Sequence, residues 1–420
     1  MRIQKNRGTY LPYKKEPMAS LPLLRPDHIR QVILPIFSEY GVQCRLLLEK
    51  DSPVSQGQLL AEPLDEKGTP VYSSVSGILT DTYEAEHPLL GKTTYTIIEC
   101  MTMDEPELDA PLDTEDLTAE ELVAIAREYG IIDEIDGLPL ANKLEGMVDL
   151  YPTCIVADAI EDQLYSCSAW ATLREDYTQV LKGLRLAARA IHAAEYKIAV
   201  ALTRVHETEL KKEIPPEHLQ TFEPDFYPHK ELDDLGLAPF SIGVQACRAL
   251  YRAASYKEPQ TEGILTIAGP AASLPINMRV PFGTSLRVAL EVCGVSDPSS
   301  EVLLGDSMTG LLLDSIDIPI VPGMTCIVGT DAVKTHASSP CLNCGRCAKV
   351  CHKHLLPYEI ARRFENNQYS GIDAFHPSAC DGCNACSYIC PAKRNVSELV
   401  LEASTVAGVI LFDWGPHHDE

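Results

Sequence analysis

Positive charge is in short supply in this chain. Its 35 Lys and Arg stand against 60 Asp and Glu, a net charge of −25 with His neutral. Such a surface repels a phosphate backbone and an anionic bilayer, so neither nucleic acid nor an anionic membrane surface is expected as a partner. An anionic substrate would not be captured unaided. Long apolar runs are missing too. No stretch approaches the roughly 18 residues that a membrane-spanning helix needs, and no membrane insertion is expected. Arg2, Lys5 and Arg7 precede no apolar stretch, so no secretory signal is expected either. The reading is a cytoplasmic protein whose thiols stay reduced. Equally missing are a nucleophile beside a base, a phosphate-binding loop and a pair of carboxylates placed for acid–base work. No catalytic residue is assigned. The 420 residues allow two to four domains, and a hydrophobic content of 45% is ordinary for a globular protein.

Cysteine, in contrast, is abundant, with 15 in the chain. Two copies of one spacing account for eight of them. The first copy reads Cys341-x2-Cys344-x2-Cys347-x3-Cys351. The second, 39 residues further on, reads Cys380-x2-Cys383-x2-Cys386-x3-Cys390-Pro391. Three thiolates at that pitch wrap one corner of an iron–sulfur cubane. The fourth lies too far along a helical turn to join them, and in two-cluster ferredoxins it serves the other cluster. The spacing therefore predicts two 4Fe–4S clusters. Cys341, Cys344, Cys347 and Cys390 would hold one, and Cys380, Cys383, Cys386 and Cys351 the other. Zinc and disulfides are the weaker alternatives: zinc sites favour paired cysteines with no fourth Cys three residues on, and disulfides need an oxidising compartment. The first copy continues Cys351-His352 where the second has Cys390-Pro391. Proline there shapes only the backbone after the ligand, so its loss is expected to shift geometry and potential more than ligation. The remaining cysteines (Cys44, Cys100, Cys154, Cys167, Cys247, Cys293 and Cys326) stand singly among apolar residues and read mostly as small core residues.

Along the chain the patterns predict a multidomain α+β protein. Residues 1–105 read as a β module, with short alternating strands at 57–62 and 71–79 separated by turn residues. The acidic, proline-containing stretch from Asp104 to Asp116 reads as a linker. Thr118-Ala119-Glu120-Glu121 is a capping box opening a helix, with Leu122, Ile125 and Tyr129 on one face and Gly130 as its stop. Residues 116–260 alternate strands (154–157 and 197–202) with a long helix from about Trp170 to Ala194, which implies an α/β layer on a largely parallel sheet. Residues 261–332 give a strand from Ile264 to Ala268 and a helix after Thr284. Residues 336–402 hold the cysteine doublet, with a helix from Leu356 to Asn366 between its copies, and 403–420 form a C-terminal tail. The repeat is wider than in small ferredoxins, which predicts an α-helical form.

The order of these parts resembles the RnfC-like group. That group includes the RnfC component of ion-pumping ferredoxin–NAD oxidoreductases, a cobalamin reductase, and a soluble protein associated with proline reductase. The resemblance is carried by Asp51-x2-Val54-x2-Gly57-Gln58 with Val75-Ser76-Gly77, which looks like a biotinyl/lipoyl-type hammerhead. Val280-Pro281-Phe282-Gly283-Thr284, Gly305-Asp306-Ser307-Met308-Thr309-Gly310 and the cysteine doublet carry the rest. The resemblance implies an N-terminal β hammerhead-like module, an α/β Rossmann-like (complex I 51-kDa-like) domain, a β-grasp (SLBB) module and a C-terminal α-helical dicluster ferredoxin domain.

Two stretches depart from the family pattern. Flavin-binding members carry a glycine-rich stretch after the helix that here stops at Gly130, and its N–H groups hold the FMN phosphate. This chain has Ile131-Ile132-Asp133-Glu134-Ile135-Asp136-Gly137-Leu138-Pro139 instead. Side chains replace glycines where close backbone approach is required. Each carboxylate facing a phosphate charge at about 5 Å would cost roughly 3 kcal/mol at an effective dielectric near 20. The family's acidic segment that helps hold the nicotinamide cofactor is replaced by Ala157-Asp158-Ala159-Ile160-Glu161-Asp162-Gln163. FMN and NADH are therefore not expected, and the domain reads as a scaffold or docking surface. The alternative is a flavin bound in some altered way. The hairpin near Asp65-Glu66-Lys67-Gly68 lacks the arrangement that carries a prosthetic group and reads as packing.

Further residues admit two readings. His352 and His354 either hydrogen-bond a cluster sulfur or couple a proton to reduction, or they belong to an exposed basic face. Lys349, Lys353, Arg362, Arg363, Lys393 and Arg394 either mark a contact face for an acidic donor such as ferredoxin or are solvated surface. Gly243 to Tyr251 reads as a packed helix, and Trp414, His417 and His418 belong to no motif. The expected function is an electron-transfer subunit, part of a complex, relaying electrons through two clusters to or from a protein redox partner (a reductase, ferredoxin or flavoprotein). The resemblance adds a reductase of the proline reductase type. An NADH- or ferredoxin-dependent flavoenzyme and a structural docking subunit with stabilising clusters are the alternatives.

Overall fold

The computed structural model describes residues 7–26, 28–102, 110–223, 226–228, 231–295, 300–331 and 337–412. Residues 104–109 of the acidic linker, together with Trp414, His417 and His418, lie outside them. In the N-terminal part, strands β1 (Gln31–Ser38), β2 (Cys44–Leu46), β3 (Pro53–Val54), β4 (Leu59–Pro63), β5 (Val71–Tyr72), β6 (Ser76–His87) and β7 (Gly91–Thr102) form two antiparallel sheets. One runs β1-β7-β6-β3 and the other β2-β4-β5. Their alternation turns Val32, Leu34, Leu60, Leu79 and Ile98 into one buried core between the sheets.

Helix α1 (Ala119–Glu128) opens as predicted. The Glu121 N–H donates to Thr118 Oγ1 (3.2 Å) and the Thr118 N–H to the Glu121 carboxylate (2.8 Å). After α2 (Leu140–Val148) come β8 (Cys154–Ala159), α3 (Ser168–Ala190), β9 (Glu195–Val200), β10 (Leu219–Thr221), β11 (Ser241–Gly243) and α4 (Val244–Tyr256). The sheet order is β10-β9-β8-β11, parallel throughout. Helix α3 stops four residues short of the expected Ala194, because the chain turns through a left-handed His192 (φ 57°). Asp176 interrupts α3 with non-helical angles and is half-buried. It binds Arg248 (2.8 Å) and Arg279 (2.5 Å), and both guanidiniums also reach Glu262. This ion network joins the α/β layer to the sheet that follows.

That sheet is mixed. Strands β12 (Glu262–Ala268), β13 (Ile276–Pro281), β14 (Ser300–Leu304), β15 (Leu311–Leu312) and β16 (Cys326–Asp331) lie in the order β13-β12-β16-β14-β15. Helix α5 (Leu286–Val292) buries Leu286, Ala289 and Leu290 in the core formed with Leu265, Ile267 and Met278. Gly283, in the quoted Val-Pro-Phe-Gly-Thr stretch, accepts from the Ile33 N–H (2.8 Å) and so ties this sheet to the N-terminal sandwich.

Among the described residues the C-terminal part is helical without strands: α6 (Arg346–Val350), α7 (Pro357–Glu365), α8 (Ala385–Tyr388) and α9 (Val396–Phe412). Helix α9 runs past residue 403 to Phe412. Val396, Val400 and Ala403 recur at helical spacing and are buried with Ile360, Ala361 and Ile372.

Helices α3 and α4 meet backbone to backbone at Gly183, where an added Cβ would stand 1.7 Å from the Cys247 carbonyl oxygen. Gly146 has nothing within 4 Å of such a Cβ. Gly183→Ala should therefore lower unfolding stability by about 2 kcal/mol or more through overpacking. Gly146→Ala, in an exposed helix, should be neutral or stabilising by up to about 1 kcal/mol. Urea unfolding of the two variants checks both.

Candidate iron–sulfur centre and the adjoining cavity

The cysteine doublet repeats in backbone geometry as well as in sequence. Left-handed residues fall at Asn343, Gly345 and His354 in the first copy and at Gly382, Asn384 and Lys393 in the second. Each pair keeps the same offset as Cys341 and Cys380. Small or amide-bearing residues occupy the four positions flanking the middle cysteines, because that conformation disfavours most side chains. These turns aim N–H groups at sulfur. The Asn343 N–H donates to Cys341 Sγ (3.4 Å), and the Gly382 N–H plays the same part for Cys380. The turn after the fourth cysteine is also shared: the His354 N–H reaches the Cys351 carbonyl (3.1 Å) and the Lys393 N–H the Cys390 carbonyl (3.2 Å). His352 in place of proline leaves that turn intact.

Burial, then the neighbouring Cys383, Cys380, Cys347 and Cys351, push the Cys386 thiol up to about 12. Burial raises Cys383 to about 12, with Asp381, Cys380 and Cys351 adding to it. Cys347 is raised by burial and then by Cys341 and Cys344. Cys351 is thus a near neighbour of Cys380, Cys383 and Cys386. Cys390 packs on the same small core that holds Cys347 and Cys386. Crowded, partly buried thiols resist ionisation until a cation compensates them, which is what a cluster's iron supplies. The donor set fits two cubanes.

The surroundings of the two groups differ. Cys344 is exposed and Leu342 beside it is 64% exposed, so the earlier triad opens to the surface. The later one faces inward: Tyr227 Oη donates to the Cys383 carbonyl (2.6 Å), and Tyr227, Met308 and Leu164 pack with Cys383 and Ala385. His352 lies between Asp381 (Nε2 to Oδ2, 2.7 Å) and Cys383 (Nδ1 to Sγ, 3.9 Å). Of the expected basic face, Arg362 and Arg363 are tied to Glu359, and Arg394 bridges Glu365 and Cys341.

Behind the later triad lies a cavity of about 300 Å³ at the C-terminal end of β8, lined by Glu134, Asp158, Glu161, Asp162 and Asp306 among others. Its rim is linked to the cysteine loop through Gln163, which binds Thr309 and Met308, and through Asn384, which donates to the Met308 carbonyl (2.8 Å). A larger groove of about 790 Å³ lies between the Pro63–Tyr72 hairpin and helices α1 and α2, away from the cysteines. The hairpin tip itself is pinned, because Asn142 donates to the Lys67 carbonyl (3.1 Å).

The residues where an FMN phosphate was considered are already engaged. Glu134 accepts from the Gln245 N–H (2.7 Å) and the Ala246 N–H (3.0 Å) at the start of α4, and Asp133 accepts from the Gly243 N–H (2.9 Å). A Cβ at Gly243 would stand 2.1 Å from the Glu134 carboxylate. Lys143 pairs with Asp133 (2.5 Å) and Asp136 (2.8 Å). The loop does not fit a phosphate. Sequence reading saw the carboxylates but not their targets, which lie about 110 residues downstream.

Residues 3–103 match the family described as RnfC barrel sandwich hybrid domain, and residues 340–394 the one described as 4Fe-4S dicluster domain. In Acetobacterium woodii, the RnfC-type component of the Na(+)-translocating ferredoxin:NAD(+) oxidoreductase complex is 26% identical over 400 residues, covering 87% of this chain and 88% of that one. The corresponding component of the proton-translocating complex of Clostridium ljungdahlii is 26% identical over 352 residues, covering 78% and 77%. The chain is thus similar to RnfC over most of its length, and its first hundred residues match the RnfC barrel sandwich hybrid domain. The dicluster match and these relatives support an iron–sulfur protein of electron transport. A solved NAD+-reducing NiFe-hydrogenase chain matches 61% of this chain and 54% of its own at 14% identity and a TM-score of 0.43, a likeness too slight to bear on function. Among the described residues no helix is long and apolar enough to cross a membrane.

Burial and the adjacent Asp133 raise Glu134 to about 8. A carboxylate with a raised folded-state pKa adds stability that is full below its unfolded value and is lost as pH rises through the folded one. Relative to Glu134→Gln, the wild-type chain should therefore lose more than about 1 kcal/mol of unfolding stability between pH 5 and 9. Parallel urea titrations across that range check the sign.

Proposed function

We propose that this RnfC-like chain is an electron-transfer subunit that relays electrons through two 4Fe–4S clusters between protein partners. The observation that carries the reading is the doubled thiol geometry, with Cys351 gathered into the later triad. Cys341, Cys344, Cys347 and Cys390 would hold the outer cluster, and Cys380, Cys383, Cys386 and Cys351 the inner one. When bound, each cluster takes up and releases single electrons. The chain's own residues fix position and charge. The Asn343 and Gly382 N–H groups and the Arg394 guanidinium offset negative charge on sulfur. The exposed Leu342 and Cys344 form the side on which a redox partner docks. A partner reductase, of the proline reductase type implied by the resemblance, fits this role. FMN and NADH have no part in it.

The four modules serve the relay as a rigid support, with divisions near residues 105, 116, 260, 332 and 336. Helix α9 belongs with the cluster-bearing module.

Anaerobically purified chain should contain about eight irons. Cys351→Ala should cut this to about four, with one of two reducible paramagnetic signals lost. Cys100→Ala, at a half-buried thiol outside the doublet, should change neither. Iron analysis with electron paramagnetic resonance of dithionite-reduced samples reads all three, and wild-type chain without reducible iron would defeat the relay.

A further inference from the structure

The cavity behind the later triad is ringed by backbone N–H groups, the natural furniture of an anion site. Here each has been given to a carboxylate of the chain itself. Glu134 takes Gln245 and Ala246 at the start of α4. Glu161 takes the Ala169 N–H (3.0 Å) and the Trp170 N–H (3.2 Å) at the start of α3, and also the hydroxyls of Ser166 and Ser168. Asp306 takes the Tyr165 N–H (2.7 Å) and the Ser166 N–H (2.6 Å) in the loop that leads into α3. Two helices and one loop thus converge on one space, and all three present their donors to internal acids.

Among the described residues no Lys, Arg or His lines this cavity, whose wall also carries Asp158 and Asp162. Lys143 is spent on Asp133 and Asp136, and Lys15 reaches the Glu161 carbonyl rather than the open space. The volume of about 300 Å³ sits at the lower end for small-molecule sites, roughly 300–1,000 Å³.

We propose that the carboxyl groups of Glu134, Glu161 and Asp306 occupy the amide donors of this cavity, hold it in the form of a phosphate-occupied site and close it to phosphate-bearing ligands. The inference rests on the relay reading and deepens it. With flavin and dinucleotide shut out, the chain exchanges single electrons and takes no hydride. Gly243 is part of the device, since only a residue without a side chain lets the Glu134 carboxylate come so near the backbone.

The test uses holo-chain purified anaerobically, with FMN as the probe. Wild-type chain should leave FMN fluorescence unquenched, and NADH should leave the clusters oxidised while dithionite bleaches them. Flavin retained by wild-type chain, or cluster bleaching by NADH, would overturn the proposal. Glu134→Gly should bind FMN, or inorganic phosphate in competition with it, at least about tenfold more tightly than wild type. Glu134→Gln, which still fills the place, should show no such gain. Glu134→Gly with full iron content and an unchanged FMN affinity would also overturn it. Should that variant not fold, the two wild-type measurements still decide. Chain that lacks reducible iron condemns the relay instead, and the flavin titration reads independently of it.

Discussion

Peptide N–H groups at the start of a buried helix must find acceptors, and in this molecule the demand is concentrated where α3 and α4 begin. An unpaired buried donor costs about 1–3 kcal/mol. The chain meets the demand with carboxylates from distant loops: Glu161 for α3 and Glu134 for α4. This one constraint explains several others. It fixes the path of the 131–139 loop, requires glycine at 243, and draws Lys143 inward to balance Asp133. It also holds the α/β layer rigid beside the cysteine-bearing helices, which contact that layer through Tyr227 and Leu164.

The acidity of the sequence is therefore of two kinds. Much of it is solvated and keeps the surface negative. A smaller part is structural, aimed at helix termini and loop amides, and invisible to any sum over charges. The same holds for the cations near the cysteines. Six were noticeable in sequence, yet Arg362, Arg363 and Arg394 are bound to Glu359 and Glu365, so a face that reads as basic is partly neutralised.

The capping box at Thr118, the stop at Gly130, the parallel alternation and the cysteine doublet were legible because each rests on local spacing. The strand and helix limits moved by a few residues where a left-handed turn, as at His192, ended an element that hydrophobic period alone would extend. What could not be read was long-range pairing. Nothing near Asp176 announces Arg248 or Arg279, and nothing near Glu134 announces Gln245. One signal was available and easily passed over. Asn343 and Gly345 mirror Gly382 and Asn384 around the middle cysteines, residues of the type that tolerate a left-handed turn, and they foretold the repeated backbone geometry.

The gathering of Cys351 with Cys380, Cys383 and Cys386 has a mechanical side. Any centre that joins these sulfurs closes a loop of chain containing all of α7, and a closed loop has far fewer unfolded arrangements to lose on folding. The small core around Ile360 and Ile372 could hardly hold such a segment alone. A bound inorganic centre would act there as a staple, so that the group carrying charge would also keep its own housing shut.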